Sequence, residues 1–287
     1  MNEISPIYFP EALASFLTRE ECFSIEKTLE KQMRVSMLTE RYFVKAGVSN
    51  DPKNIQSLKN EIKVYTTFSP DSIGYPKLKW YRIDNNLVIL ILERIDALAL
   101  AERRDAFNIH PSANTESILS EISKLERAKI PENWPVSYHR DEKIEKYGKI
   151  VFPYLPQDIR IALDSLVGSL HMNENLVFSH GDLLPMNIMI NQEQYWFVDW
   201  EWADIRPASF DPAFFLLFSR PPSDGITFFE KCHMFWNPVE LYRDTVVISL
   251  HEMKLWITQV DPSSLQVKRI NMWLLVLKEA VEWLMLH

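Results

Sequence analysis

Polar and apolar residues alternate in MRVSML (33–38) and again in RYFVKAG (41–47), with polar turn residues between the runs. Alternation at period two marks half-buried strands, so residues 23–47 are expected to form a three-stranded antiparallel meander. The rhythm then changes: Ile55, Leu58, Ile62 and Tyr65 fall three and four apart, the spacing of one helix face, until Ser69-Pro70 interrupts it. Strand signals return in LKWYRI and NLVILILERI, and Asp84-Asn85-Asn86 between them has the polar chemistry of a hairpin turn. A small antiparallel-sheet lobe is expected over 1–95. Beyond it, 115–128, 157–171, 238–260 and 262–286 carry apolar residues at helical spacing, and 176–225 between the second and third helices reads as strands and loops. Asn237-Pro238 with Glu240 supplies a cap, a first-turn proline and an acid, and Asp261-Pro262 repeats the first two features. The expected fold is α+β, with a mainly helical second lobe over 96–287.

Composition narrows the function more by exclusion than by assignment. Six glycines occur, at 47, 74, 148, 168, 181 and 225, no two of them closer than 13 residues. Dinucleotide turns, phosphate loops of the GxxxxGK type and GxSxG elbows each need two glycines within six residues, so all three are excluded. A net charge of -8 argues against a nucleic-acid partner and is compatible with a small cationic one. Cys22 and Cys232 form no CxxC pair, the start MNEISPIYF has no leader pattern, and no run approaches a membrane span. A cytoplasmic protein with no membrane partner is expected.

The chemistry gathers in 176–201, LVFSHGDLLPMNIMINQEQYWFVDWE. Asn191-Gln192-Glu193-Gln194 has the makings of a hairpin turn, which would pair IMI with YWFV and bring Asn187 and Asp199 to one end of the ribbon, near His180 and Asp182. Two carboxylates and an amide buried together need a compensating cation. Mg²⁺ suits such a set, because it takes oxygen ligands and completes its shell with substrate phosphates and water.

HGDLLPMN has the H-x-D-x-x-x-x-N spacing of a kinase catalytic loop, and DWE follows where those enzymes carry a second metal-binding acid. The glycine after His180 and the DWE triplet resemble the aminoglycoside phosphotransferase and choline kinase superfamily of small-molecule kinases. The resemblance runs from about residue 23 to the C-terminal helices and implies a bilobal protein-kinase-like fold. It implies transfer of the γ-phosphate of ATP (or GTP) to a hydroxyl of a small molecule, with Asp182 as catalytic base. Asn187 and Asp199 would hold Mg²⁺, while His180 and Asp211 would brace the loop. Lys45 would contact the α- and β-phosphates, held by Glu61. Main-chain groups of Glu93 and Ile95 would read the adenine edge, with Ile188 and Val198 as apolar faces beneath the ring. The acceptor is expected to be cationic: an aminoglycoside, a basic peptide antibiotic or a choline-like amine. The protein is expected to act as a monomer or homodimer.

The match is incomplete at one place. The first turn, Glu30-Lys31-Gln32, has no glycine, so the phosphate cover of a kinase is missing and a catalytically silent kinase fold is the rival reading. A protein kinase is disfavoured, since HGD and DWE stand for HRD and DFG. Glu201 is left open between a water-mediated metal contact and pairing with a base such as Arg206. His139-Arg140-Asp141 lies in a charged run and reads as a solvated loop, and His251-Glu252 fails the zinc motif because residue 255 is leucine. Trp236, Trp256, Trp273 and Trp283 fall along the last helices and are expected mostly in the core, with one or two available to a cationic substrate.

Overall fold

The computed structural model describes residues 11–20, 25–31, 34–49, 52–111, 113–132, 134, 136–166, 175–192, 194–226, 229, 235–258 and 264–287. It divides into two compact units, 1–98 with 191–203, and 99–190 with 204–287.

The first unit opens with helix α1 (Glu11–Arg19), followed by the strands β1 (Ile25–Lys31), β2 (Arg34–Thr39) and β3 (Tyr42–Val48). Helix α2 (Pro52–Thr67) and the short α3 (Pro70–Ile73) then lead to β4 (Leu78–Ile83), β5 (Leu87–Glu93) and β6 (Leu98–Ala99). The first five strands make one antiparallel sheet in the order β1-β2-β3-β5-β4. The Asp84 N–H donates to the Leu87 carbonyl at 2.8 Å, closing the expected turn between β4 and β5. Position 32 of the proposed phosphate-cover turn lies outside the described residues, as do Cys22, Cys232 and Gly168.

Alternation along β3 separates two faces. Tyr42, Val44 and Ala46 pack with Leu13 and Phe16 of α1, Val35 and Met37 of β2, and Ile89 and Ile91 of β5. Phe43, Lys45 and Gly47 fall on the other face by period two. Helix α2 covers that face: a Cβ at Gly47 would come 2.8 Å from Leu58 Cδ1 and 3.3 Å from Ile55 Cγ2. A side chain at 47 would force the Leu58 methyl to shift. The expected stripe Ile55, Leu58, Ile62 and Tyr65 is buried, and Glu61 lies within it with no exposed surface.

The second unit contains α4 (Thr115–Leu125), α5 (Arg140–Val151), α6 (Gln157–Leu166) and β7 (Leu176–Ser179). Strand β8 (Ile188–Asn191) carries the chain back to the first unit, which holds β9 (Gln194–Phe197). Gln192, between these strands, adopts φ 54 as a tight turn demands. After β10 (Asp204–Pro207), which pairs antiparallel with β7, come α7 (Phe210–Ser219), α8 (Pro238–Ile257) and α9 (Ser264–Leu286). Helix α8 packs against α5, α7 and α9. Asn237 caps α8 as expected, accepting the Val239 N–H at 3.0 Å, whereas Asp261-Pro262 lies outside the described residues. No described helix is long and apolar enough to cross a membrane.

Three sequence expectations need correction. Residues 210–219, expected in a region of strands and loops, form α7, every residue of which is buried; a helix apolar on all sides shows no stripe to betray it. Helix α1 was not anticipated. Residues 139–141 are not a solvated loop: His139 immediately precedes α5, and Arg140, its first residue, has no exposed surface. Its Nε and Nη2 donate to Asp244 Oδ1 and Oδ2 at 2.8 and 2.9 Å, and Nη1 to Glu240 Oε2 at 2.6 Å. Of the four tryptophans, Trp236 and Trp273 are buried and Trp256 and Trp283 half-buried.

Candidate active site

In the first unit, Lys45 Nζ stands 2.8 Å from Glu61 Oε2 and 2.7 Å from Asp199 Oδ1. A carboxylate on the packed stripe of α2 is costly unless a cation reaches it, and Lys45 on the facing strand is that cation. The Tyr65 hydroxyl donates to the other oxygen of Glu61 at 3.2 Å. Burial pushes the Glu61 carboxyl up to about 7 against the opposing pull of Lys45. Burial acts to lower Lys45, but the charges of Asp199, Glu61 and Glu201 outweigh it and raise the ammonium well above its usual range. Lys45 is thus held charged.

Asp199 has φ 69 and ψ 54, the left-handed region that aspartate tolerates better than most residues. It opens a 3₁₀ turn, Trp200–Trp202, whose first residue is fully buried and donates from Nε1 to the Phe197 carbonyl at 2.9 Å. Glu201 pairs with a base, one of the two readings left open for it, but the base is Arg34 and not Arg206. Arg34 Nη1 donates to its two oxygens at 3.0 and 2.7 Å, and Arg34 Nη2 reaches Ser57 Oγ on α2 at 2.5 Å. Arg206 instead lies over the rings of Phe210 and Tyr138, at 5.0 and 5.5 Å. Asn60 Nδ2, one residue before Glu61, donates to the carbonyls of Glu201 and Ala203 at 3.1 and 3.0 Å. The sequence reading missed Arg34 and Asn60. Neighbouring positions on α2 thus serve Lys45 and the DWE turn, and that adjacency was the available signal.

Glu93 accepts the Lys77 N–H on its side chain at 3.0 Å and lies 3.4 Å from Lys79 Nζ. Past Glu93 the chain has no regular secondary structure until β6, and Ile95 donates no main-chain hydrogen bond among the described residues. Val198 is half-buried in the first unit. Ile188, in the second, is fully buried, and its carbonyl accepts the Leu100 N–H at 2.9 Å.

In the second unit, Asp211 organises the HGD loop from the first turn of α7. Its carboxylate accepts the N–H of His180 at 2.7 Å, the N–H of Gly181 at 2.9 Å and the Ser179 hydroxyl at 2.9 Å. Gly181 has φ 81, so the second position of HGD is a glycine for conformational reasons. His180 is fully buried, and its Nδ1 accepts the Asp182 N–H at 3.4 Å. Asn187 Nδ2 donates to the Asp182 carbonyl at 2.9 Å. Asp182 itself meets Arg104 Nη1 at 3.0 Å, and Arg104 Nη2 reaches Glu252 Oε1 at 2.5 Å. Both partners escaped the sequence reading, since no spacing rule links residues 104, 182 and 252.

Lys45, Glu61 and Asp199 are thus together in one unit, and His180, Asp182, Asn187 and Asp211 together in the other. The model of the phosphotransferase enzyme family matches residues 56–229, more than half of the chain. Among solved structures, a choline/ethanolamine kinase family protein from Mesorhizobium loti aligns with TM-score 0.65 at 14% identity, over 97% of this chain and 96% of that one. Choline kinase LicA from Streptococcus pneumoniae gives 0.62 at 16%, covering 96% and 97%. A thermostable mutant of aminoglycoside phosphotransferase APH(4)-Ia gives 0.62 at 13%, covering 93% and 97%. LicA has been solved with AMP, and APH(4)-Ia with ADP and hygromycin B. At these identities the likeness is one of fold. No curated protein matches the sequence.

Proposed function

The chain belongs to the phosphotransferase enzyme family, and from that premise we propose that it is a cytoplasmic ATP-dependent kinase acting on a hydroxyl of a small molecule. The observation that carries the reading is the position of Lys45 between Glu61 and Asp199. A permanently charged ammonium, fixed by a buried glutamate, is what the α- and β-phosphates of a nucleotide need. Ile95 supplies a main-chain donor for the adenine edge, and Glu93 the carbonyl beside it.

Asp182 accepts the proton of the acceptor hydroxyl as the new O–P bond forms and the bridging bond to ADP breaks. Because that transition state is loose, the carboxylate chiefly orients the hydroxyl and takes its proton late. Asn187 and Asp199 would hold Mg²⁺. The donor chemistry suits that ion: the Asn187 amide nitrogen is committed to the Asp182 carbonyl, so its oxygen would be the ligand, and Asp199 would add a carboxylate 43% exposed. When bound, the ion offsets negative charge on the phosphates. Glu61, Asp199 and Glu201 also bring oxygens within 4.8 Å of one another, but Lys45 already serves as the cation of that group.

The acidic balance of the sequence favours a cationic acceptor; the surroundings of Asp182 favour another class, argued below. Calorimetric titration with ATP and Mg²⁺, together with a phosphate-transfer screen over amines, sugars and antibiotics, tests the kinase reading. Asp182→Asn is expected to keep nucleotide binding and lose turnover. No binding of MgATP at millimolar concentration would overturn the reading in favour of the silent kinase fold.

A further inference from the structure

Arg104 lies in the turn that follows β6, and its guanidinium bridges Asp182 and Glu252. It also lies over the rings of Phe218 and Phe214, 5.2 and 5.7 Å from their centroids. Two carboxylates beside two aromatic faces form a cage for an organic cation. The chain fills that cage with its own side chain.

Glu252 is 2% exposed on the central helix α8. Burial works to raise its carboxyl, but the His251 ring and Arg104 outweigh this and hold it below its usual range. Arg104 is therefore anchored from behind by a permanent charge. The neighbouring Asp105 is engaged by Arg269, with Nη2 2.5 Å from Oδ2, and does not compete for Arg104. Even so, 34% of the Arg104 side chain is exposed, although its Nε is buried without a hydrogen-bond partner. Two of the five guanidinium donors are thus committed to carboxylates.

A general base must come within hydrogen-bond reach of the hydroxyl it deprotonates. An acceptor seated on Asp182 consequently has Arg104 as its neighbour. An ammonium near the reacting hydroxyl would meet a like charge there, whereas a carboxylate or phosphate would meet a planar fork of matching geometry. Resting on the reading of Asp182 as the base, we propose that the acceptor is an anionic hydroxyl compound. It carries a carboxylate or phosphate within a few bonds of the hydroxyl, and Arg104 is the residue that selects it. Glu252 is a positioning residue that fixes the fork. The anionic group takes no part in the bond changes: the acceptor oxygen gains the γ-phosphoryl group, ADP leaves, and the hydroxyl proton passes to Asp182.

Glycerate, glycerol 3-phosphate, glycerol and choline differ chiefly in charge and serve as probes. Each is titrated calorimetrically into the full chain saturated with MgADP, which keeps the probes from the nucleotide site. At least one anionic probe is expected to bind about tenfold or more tighter than glycerol or choline, and whichever anion is tighter separates carboxylate from phosphate. Arg104→Gln is expected to erase that preference and Arg104→Lys to keep part of it. If Arg104→Gln fails to fold because Glu252 loses its arginine and keeps only His251, the double variant Arg104→Gln/Glu252→Gln carries the same test. Choline binding tighter than both anions, unchanged anion binding in the glutamine variant, or no binding of any probe at millimolar concentration overturns the inference. Any of these outcomes alongside intact MgATP binding leaves the kinase reading standing. Failure to bind MgATP at all overturns both.

Discussion

Asn60 holds Glu201 by its main chain: the amide of Asn60 donates to the Glu201 carbonyl at 3.1 Å, and its second hydrogen bond goes to Ala203. Arg34 meanwhile takes the Glu201 carboxylate and ties it to Ser57 on the same helix. Helix α2 therefore fixes the backbone in which Asp199 sits at positive φ. Asn60→Ala removes both amide bonds and is expected to cost about 1–3 kcal/mol by denaturant unfolding. It is also expected to weaken calorimetric binding of MgATP more than of ATP alone. A purely stabilising role for Asn60 would give the first effect without the second.

Lys45→Met strands Glu61 in a packed helix face. Turnover is expected to fall about 10²–10³-fold, the scale for losing one charge-stabilising donor at a reacting group. Steady-state kinetics with the acceptor found by screening would check this. Glu61→Gln, which keeps the shape and leaves Lys45 paired to Asp199, is expected to lose less.

Glu61 also sets a pH signature. Its carboxyl titrates near 7 in the folded chain, against an ordinary value of 4.5, so between these limits the native state binds the extra proton. Stability from this group is fully present below about pH 4.5 and is lost as pH rises through 7, opposite in sign to a salt-bridged carboxylate with a depressed value. The fall is on the order of 3 kcal/mol. Urea unfolding of the parent and of Glu61→Gln across this range should diverge by that amount, and parallel curves would refute the assignment.

In the second unit, Arg140 and Asp244 are both without exposed surface and are joined by two hydrogen bonds. Arg140→Ala leaves the Asp244 carboxylate buried without its cation, and Asp244→Leu leaves Arg140 with Glu240 in place of two carboxylates. Each is expected to destabilise by about 3–5 kcal/mol. Arg140→Met/Asp244→Leu, which removes both charges together, should recover much of that loss in thermal melts.

Local pattern made part of this legible. The meander, the hairpin around Asp84 and the α2 stripe all follow from period two or from spacing of three and four, and they place Lys45 and Glu61. The spacing within HGDLLPMN carried Asp182 and Asn187, because a single loop holds them. What escaped was set by long-range contacts. Helix α7 is apolar all round and α5 is charged at most positions, so neither shows a stripe; Arg140 reads as a surface residue until Asp244, 104 positions away, comes to meet it. Arg104 and Glu252 are likewise joined across 148 positions.

Strand β5 has one further consequence. Val88, Ile89, Leu90 and Ile91 have no exposed surface, since β3 and β4 flank the strand, Leu13 and Phe16 of α1 pack with Ile89 and Ile91, and α2 packs against the strand as well. Stripped of that cover, LVILIL is a six-residue segment without charge or proline, suited to stacking with identical copies in a dry steric zipper. Heating the chain at high concentration is expected to give precipitate instead of a reversible melt. A charged residue at Val88 or Ile91 would suppress that self-association only by sacrificing the sheet.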